Sequence, residues 1–382
     1  MNKVKITNVC DIQVGKTPSR SNNLYWGSGS LWLSIADMKQ GRFLEKTKET
    51  ITEKAIKECN CKLIPSNTVL FSFKLSIGKV GITKVPMYTN EAIAAFIIKD
   101  QSQLDTKFLY YVLKSVDHSI GSNKAVMGKT LNKELLKKIE IPLLPIKEQK
   151  QIVKILDYAD SLRQKRNQSL SLLENYIKSI FLEMFGDPII NPKGWNTESL
   201  AKVAKLERGR FSPRPRNDPS YFGGKYPFIQ TGDISNSNYR LNTYTQTLND
   251  KGTRVSKEFF KEDIVIAIVG ATIGVTAILK IDVYATDSVI CIKPNETIVN
   301  NIYLEYVLRF WREPLLKSAP EFARPNINLA ILNKLKIILP PIQHQRNFAN
   351  IMLKIEQLKR KMLNQENELE TQFQSLMQKS FL

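Results

Sequence analysis

The feature that most constrains this chain is that its 382 residues are written twice. Tyr25-Trp26-Gly27 returns 196 residues later as Tyr221-Phe222-Gly223, Asp37 returns as Asp233, and Ile77-Gly78 as Ile273-Gly274. Tyr88 matches Tyr284, Asn132 matches Asn328, and Pro145-Ile146-x-x-Gln149 matches Pro341-Ile342-x-x-Gln345. A solenoid needs three or more units to bury a continuous core, so two copies exclude it. The repeat predicts two similar globular units in a pseudo-two-fold relation, a design suited to reading a target with two halves.

Each copy changes character at its proline. Before it, short apolar runs dominate: Val69–Phe73 and Ala92–Ile98 in the first copy, Ile264–Val269 and Ser288–Ile292 in the second, all of strand length. Phe108–Leu113 and Tyr303–Leu308 read as helices packed on those strands. After it, Ile146 to Phe185 contains no Gly or Pro and is rich in Lys, Gln, Leu and Glu. Its apolar positions Ile155, Ala159 and Leu162, then, after a gap, Leu173, Ile177, Ile180 and Met184 alternate three and four apart, as do Ile351, Ile355, Leu358 and Met362, then Leu369, Phe373 and Leu376. This is coiled-coil spacing, over helices of roughly 39 residues or about 58 Å. Arg166, Gln168 and Ser169 interrupt the first seam and Gln365 the second. Gly186 caps the first helix and Pro188 stops it.

The expected fold is therefore α+β: two pseudo-repeated mixed α/β domains, each followed by a long helix. The expected boundaries are a first domain at 1–145, a helix at 146–185, a linker at 186–194, a second domain at 195–340 and a second helix at 341–382.

Lys and Arg exceed Asp and Glu enough to give a formal net charge of +20 and a pI near 9.6. For a folded chain this points to an acidic partner, by default nucleic acid. Apolar runs fall far short of the ~20 residues that span a bilayer, and the first residues lack a signal-like apolar stretch. A cytoplasmic protein without membrane contact is expected.

Chemistry of its own is not expected. Cys59 and Cys61 are too close for a zinc spacing, and His118 and His344 read as surface residues. Met127-Gly128-Lys129-Thr130 resembles the end of a phosphate loop, but Gly121 lies too far upstream. Leu339-Pro340-Pro341-Ile342 lacks the polar leader and trailing aromatic of an amino-methyltransferase motif, and Asp105 and Glu148 have no partner carboxylates for Mg²⁺. Asp37 and Asp233 read as turn or cap residues. No cofactor and no metal are expected.

At its twin Pro-Ile-x-x-Gln helix starts the chain resembles the specificity subunits of type I restriction-modification systems. The resemblance extends to the junction Met184-Phe185-Gly186-Asp187-Pro188…Asn191-Pro192-Lys193-Gly194-Trp195 and to Gly15-Lys16-Thr17-Pro18…Tyr25-Trp26-Gly27 with its echo Gly209…Pro213…Tyr221-Phe222-Gly223. It spans essentially the whole chain. It implies that each domain is a target recognition domain reading one half of a split double-stranded DNA sequence. The two helices would pair as an antiparallel coiled coil, set the spacing, and dock two methyltransferase subunits, with restriction subunits as optional further partners. The second helix start departs from the family's Glu-Gln, carrying His344-Gln345 where the first has Glu148-Gln149.

Candidate DNA contacts are cationic or polar residues on loops, because arginine forks pair with guanine or clamp phosphates. The densest group is Arg208, Arg210, Arg214 and Arg216; the matching first-copy loop offers Lys16, Ser19 and Arg20. Lys39, Arg42, Lys74, Lys79, Lys124 and Lys129 complete the first set, and Arg240, Arg254 and Arg324 the second. Ile152, Val153, Leu156, Leu170 and Leu172 exceed what a two-helix seam buries, which predicts partner helices in a four-helix arrangement; a wider seam filled by the recognition domains is the other reading. A free-standing repressor of a two-part operator and a catalytic DNA enzyme are the competing functions.

Overall fold

The computed structural model describes residues 3–74, 76–115, 133–318 and 326–381. It divides into two compact units, one formed by Met1–Asn167 with Asn364–Leu382 and the other by Gln168–Leu363. Each unit thus holds one strand-rich domain, the beginning of the helix that follows that domain, and the end of the other helix.

In the first unit, the hydrophobic runs form a five-stranded sheet in the order Cys10–Val14, Ile93–Ile98, Val69–Ser72, Val80–Thr83, Phe43–Leu44. The central strands are buried on both faces and read as continuous apolar runs, while the short last strand lies parallel to its neighbour. A smaller sheet joins Glu49–Ile51, Trp26–Leu33 and Tyr88–Thr89. The second unit repeats the larger sheet in the same order: Ala204–Arg208, Val289–Pro294, Ile264–Ala267, Thr276–Leu279, Arg240–Leu241. Its smaller sheet gains a fourth strand, Lys257–Phe259, beside Val283–Ala285. Helices Thr106–Ser115 and Asn301–Ser318 cover the larger sheets, burying Phe108, Tyr111 and Leu113 in one unit and Tyr303, Val307 and Leu308 in the other.

The long helices run Ile146–Phe185 and Ile342–Phe381, 40 residues each. At 1.5 Å per residue each is about 60 Å long. Gly186, with φ of 75°, ends the first, and its N–H donates to Leu182. In the first unit the start of the first helix meets the end of the second: Val153 and Leu156 share a core with Phe373, Met377 and Phe381. In the second unit Phe181 and Phe185 share a core with Phe348 and Met352. Early residues of one helix therefore face late residues of the other, so the pairing is antiparallel. Phe181 packs edge-on against Phe348 at 5.3 Å, and Phe108 against Phe381 at 5.4 Å.

The seam differs in detail from the heptad reading. Ile155 and Leu358, expected inside, are 55% and 48% exposed, whereas Val153 and Leu156, expected on a partner-facing surface, are buried. The reason is geometric. Each helix must cover a strand-rich domain as well as the other helix, so the domain takes up an apolar stripe that a two-helix seam would have left outside. Ile152 also packs against this core, and Leu170 is half-buried. Leu172 remains exposed, and so do Ile155, Tyr158 and Tyr176, which the heptad reading did not assign to a partner. Among the described residues, no helix is long and apolar enough to cross a membrane.

Candidate nucleic-acid interface

Where the first strand of each large sheet ends, the chain makes a glycine-dependent turn into a basic loop. A Cβ on Gly15 would fall on the Thr89 carbonyl oxygen, and one on Gly209 on that of Thr286. With no side chain in the way, Lys16 N–H reaches Thr89 O at 2.9 Å and Arg210 N–H reaches Ala285 O at 3.0 Å. Each loop is thereby pinned to a strand of the smaller sheet.

In the first unit the loop lies on a tryptophan pair. Trp32 Nε1 donates to Lys16 O at 3.0 Å, Trp26 Nε1 donates to Ser19 O at 3.1 Å, and the two indoles meet edge-on at 4.9 Å. The Arg20 guanidinium stacks 3.9 Å above Trp26 and forms a two-pronged ion pair with Glu49, whose carboxyl it holds below the usual range. Lys16, Ser19 and Arg20 are exposed, with Lys16 Nζ donating to Cys59 O at 3.0 Å. Lys39 is exposed on the short turn Asp37–Gln40, while Lys79 donates to Ile35 O at 3.1 Å and Lys74 leans on Phe73.

The second unit gathers five arginines around one loop. Phe211 is buried against Phe228 and Phe222, at 5.0 and 5.6 Å, which anchors the segment. Arg208 Nε donates to Asp287 O at 2.6 Å, and Arg216 pairs with the Asp287 carboxylate at 2.8 Å. Arg210 donates to the carbonyls of Ser256 and Arg254, at 3.2 and 3.4 Å, and Arg214 to that of Pro213 at 2.8 Å. A carbonyl orients a guanidinium without neutralising it. Arg208, Arg210, Arg214 and the exposed Arg254 therefore keep their full charge, while Arg216 and Arg20 spend part of theirs on carboxylates. Glu207 does not offset the group, because hydrogen bonds from Lys205 and Lys257 claim its carboxyl and push it down to about 2.

Two sequence candidates lie elsewhere. Arg42 is bound by Asp157, by Asp160 at 3.1 Å and by the Tyr111 hydroxyl. Arg240 is buried against Glu356, with Nε 3.2 Å from its carboxylate. A guanidinium committed to carboxylates of a long helix has no fork left for DNA, so both residues belong to the scaffold. Lys124, Lys129, Arg324, His118 and the segment Met127–Thr130 lie outside the described residues. Asp37 and Asp233 do cap turns: Asp37 accepts from Ser34 N at 2.9 Å and Lys48 N at 3.2 Å, Asp233 from Gln230 N at 2.8 Å and Thr245 N at 3.0 Å. The acidic anchors Glu49 and Asp287 and the role of Trp26 as a stacking platform were not foreseen. Their signal was present only in the pairing of an acid in one strand or turn with an arginine tens of residues away, which spacing does not reveal.

Each of the two equivalent domains thus carries an exposed basic loop pinned by a glycine turn, and each is followed by a long helix. The model of the type I restriction modification DNA specificity domain matches residues 1–172 and again 192–371, and the chain belongs to that family as a specificity subunit with two recognition domains. It is similar to the MjaIX type I restriction enzyme specificity subunit of Methanocaldococcus jannaschii, with 26% identity over 402 residues, covering 96% of this chain and 88% of that one. Its fold is similar to a type I restriction-modification chain solved in a study of complex assembly and conformational transition, with a TM-score of 0.65 and 18% identity over 99% of this chain and 97% of the other. The specificity subunit from M. genitalium gives 0.55 and 17%, covering 100% of this chain and 96% of that one.

Proposed function

We propose that this subunit gives a type I restriction-modification complex its DNA sequence specificity and has no catalytic activity of its own. Each recognition domain reads one half of a bipartite target, and the helix pair sets the spacing and docks methyltransferase subunits that modify adenine. The observation that carries this reading is the arginine loop 208–216, in which the guanidinium groups of Arg208, Arg210 and Arg214 are oriented by carbonyls and keep their charge. Such groups attract phosphate through counterion release and read guanine edges by bidentate bonds. The first loop presents different chemistry at the equivalent place, with Lys16, Ser19 and Arg20 on tryptophans. Scaffold kept alike and loops made different is the arrangement two unlike half-sites require.

Methyltransferase docking is assigned to the exposed apolar residues of the first helix: Ile155 and Tyr158 in one unit, Leu172 and Tyr176 in the other. Helix faces of this kind pack against further helices. The purified subunit, incubated with plasmid, Mg²⁺ and methyl donor, should neither cut nor methylate the DNA. Added to its methyltransferase subunits, it should confer methylation of a two-part motif. Cleavage or methylation by the subunit alone would overturn the assignment.

A further inference from the structure

Arg42 and Arg240, removed above from the DNA contacts, lie one register position apart where the last strand of each large sheet begins: Phe43 pairs with Ile82 as Arg240 pairs with Ile278, so Arg42 sits just before its strand and Arg240 opens its own. Each ties its recognition domain to the long helix that follows it. Arg42 reaches Asp157 and Asp160, and the same site recruits Lys107, 3.0 Å from Asp157, and the Tyr111 hydroxyl, which donates to Asp157 at 2.8 Å. Arg240 reaches Glu356 and, at 3.7 Å, the fully buried Glu305, which also pairs with Arg309 at 2.6 Å and accepts from Thr276 at 2.8 Å.

Each unit also carries an ion pair between its two long-helix segments, continuous with the Arg42 network in the first unit and separate from the Arg240 network in the second. In one, Asp160 pairs with Arg163 at 3.1 Å, and Arg163 with Glu370. In the other, Lys359 pairs with Glu174 at 2.7 Å and donates to Asn238 at 3.2 Å. Asp160 and Glu356, Arg163 and Lys359, and Glu174 and Glu370 are each 196 residues apart. The charges repeat at all three positions although two of the three pairs differ in residue type, so the same charge pattern is built twice from partly different side chains. The turn before Arg240 carries a second mark. Tyr239 has a φ of 68°, a conformation bulky residues rarely hold, and the Arg309 guanidinium sits 3.4 Å from its ring. The corresponding turn in the first domain uses Gly41 with a φ of 108°.

Apolar packing between a sheet domain and a helix is non-directional and tolerates rotation and sliding. Charge-assisted forks do not, because their geometry is fixed and a slip would strand a buried charge. We infer that Arg42 and Arg240 are positioning residues that fix the angle and register of each recognition domain on its helices, and so set how strictly the complex demands one spacer length between half-sites. This rests on the bipartite reading proposed above.

The test uses the assembled methyltransferase complex and DNA panels with the native spacer and spacers one base pair shorter or longer. Arg42→Gln and Arg240→Gln should each lower the preference for the native spacer by about tenfold, the effect of weakening a buried pair by roughly 1.4 kcal/mol. Base preference within each half should not change, and Arg240→Lys should restore part of the preference. The double variant Asp157→Asn with Asp160→Asn, and the single variant Glu356→Gln, remove the helix carboxylates of these pairs with little change in volume; they must give the same loosening if an arginine variant fails to fold. An unchanged spacer preference in folded variants, an equal loss on all spacers, or altered base preference would each overturn the inference. A wild-type complex that methylates no two-part target would instead overturn the parent reading, and this one with it.

Discussion

The side-chain oxygen of Gln149 accepts the backbone N–H of Asp105 at 2.9 Å, joining the start of the first long helix to the start of the helix that covers the first sheet. Its amide group donates to the carbonyls of Gln103 and Leu144, both at 2.7 Å. Gln345 does the same in the second unit, accepting from Asn300 N at 2.9 Å and donating to Pro340 O at 2.9 Å and Ile298 O at 3.3 Å. Both glutamines are fully buried. The Pro-Ile-x-x-Gln repeat is thus a structural joint: the proline starts the helix, and the glutamine fastens it to the domain it leaves.

Gln149→Leu and Gln345→Leu keep the volume but leave one buried N–H and two carbonyls without these partners. Each should cost about 2–4 kcal/mol, read as a lower urea midpoint. Midpoints within experimental error of wild type would remove the joint from the account.

Gly15→Ala and Gly209→Ala place a methyl group where a backbone carbonyl already sits, and backbone cannot swing aside as a side chain can. Each should destabilise its unit by about 1–3 kcal/mol and displace its basic loop, weakening DNA binding beyond the loss of stability. Full binding by either variant would show that the loop does not depend on the close approach.

Charge neutralisation separates the arginines by how they are held. Arg210→Gln and Arg214→Gln remove uncompensated charges, and each should lower the salt slope of DNA binding by about 0.9 where the residue clamps a phosphate. Arg216→Gln should lower it less, because Asp287 already offsets that charge. Binding isotherms of the assembled complex over a range of salt measure this, and a larger drop for Arg216→Gln would contradict the assignment.

Burial pushes the Asp157 carboxyl up, but hydrogen bonds from Lys107, Tyr111 and Arg42 outweigh it and hold the group below its ordinary value of 3.8. A carboxyl depressed on folding adds stability that is complete above its unfolded pKa and is lost as pH falls through its folded one. Asp157→Asn should therefore be less stable than wild type near neutrality, with the gap closing below about pH 4. Urea midpoints from neutral to acid pH would show it; a gap that stays constant into acid would refute it.

The repeat, the α+β class and both long helices were legible because each rests on local pattern: strand-length apolar runs, Gly/Pro-free helical tracts, and punctuation such as Gly186 and Pro188. The basic loop 208–216 was legible from composition alone. What spacing could not show was where long side chains end. Arg42 looks in sequence like Arg20, yet one is committed to Asp157 and Asp160 and the other stacks in the open on Trp26. Val153 and Leu156 are buried in the first core, as the wider-seam reading expects, for a related reason. Heptad spacing describes a helix facing one neighbour, and these residues face a domain as well.

The proposed function requires that two domains read two halves of one target. Methylation profiling of the genome of a host expressing this subunit with its methyltransferase tests it most directly, run beside a variant with the arginines of residues 208–216 neutralised. Methyladenine should appear in a motif of two specified halves around an unspecified spacer, with recognition of one half lost in the variant. A continuous motif, or no motif while the methyltransferase is folded and active, would contradict it and favour a free-standing repressor.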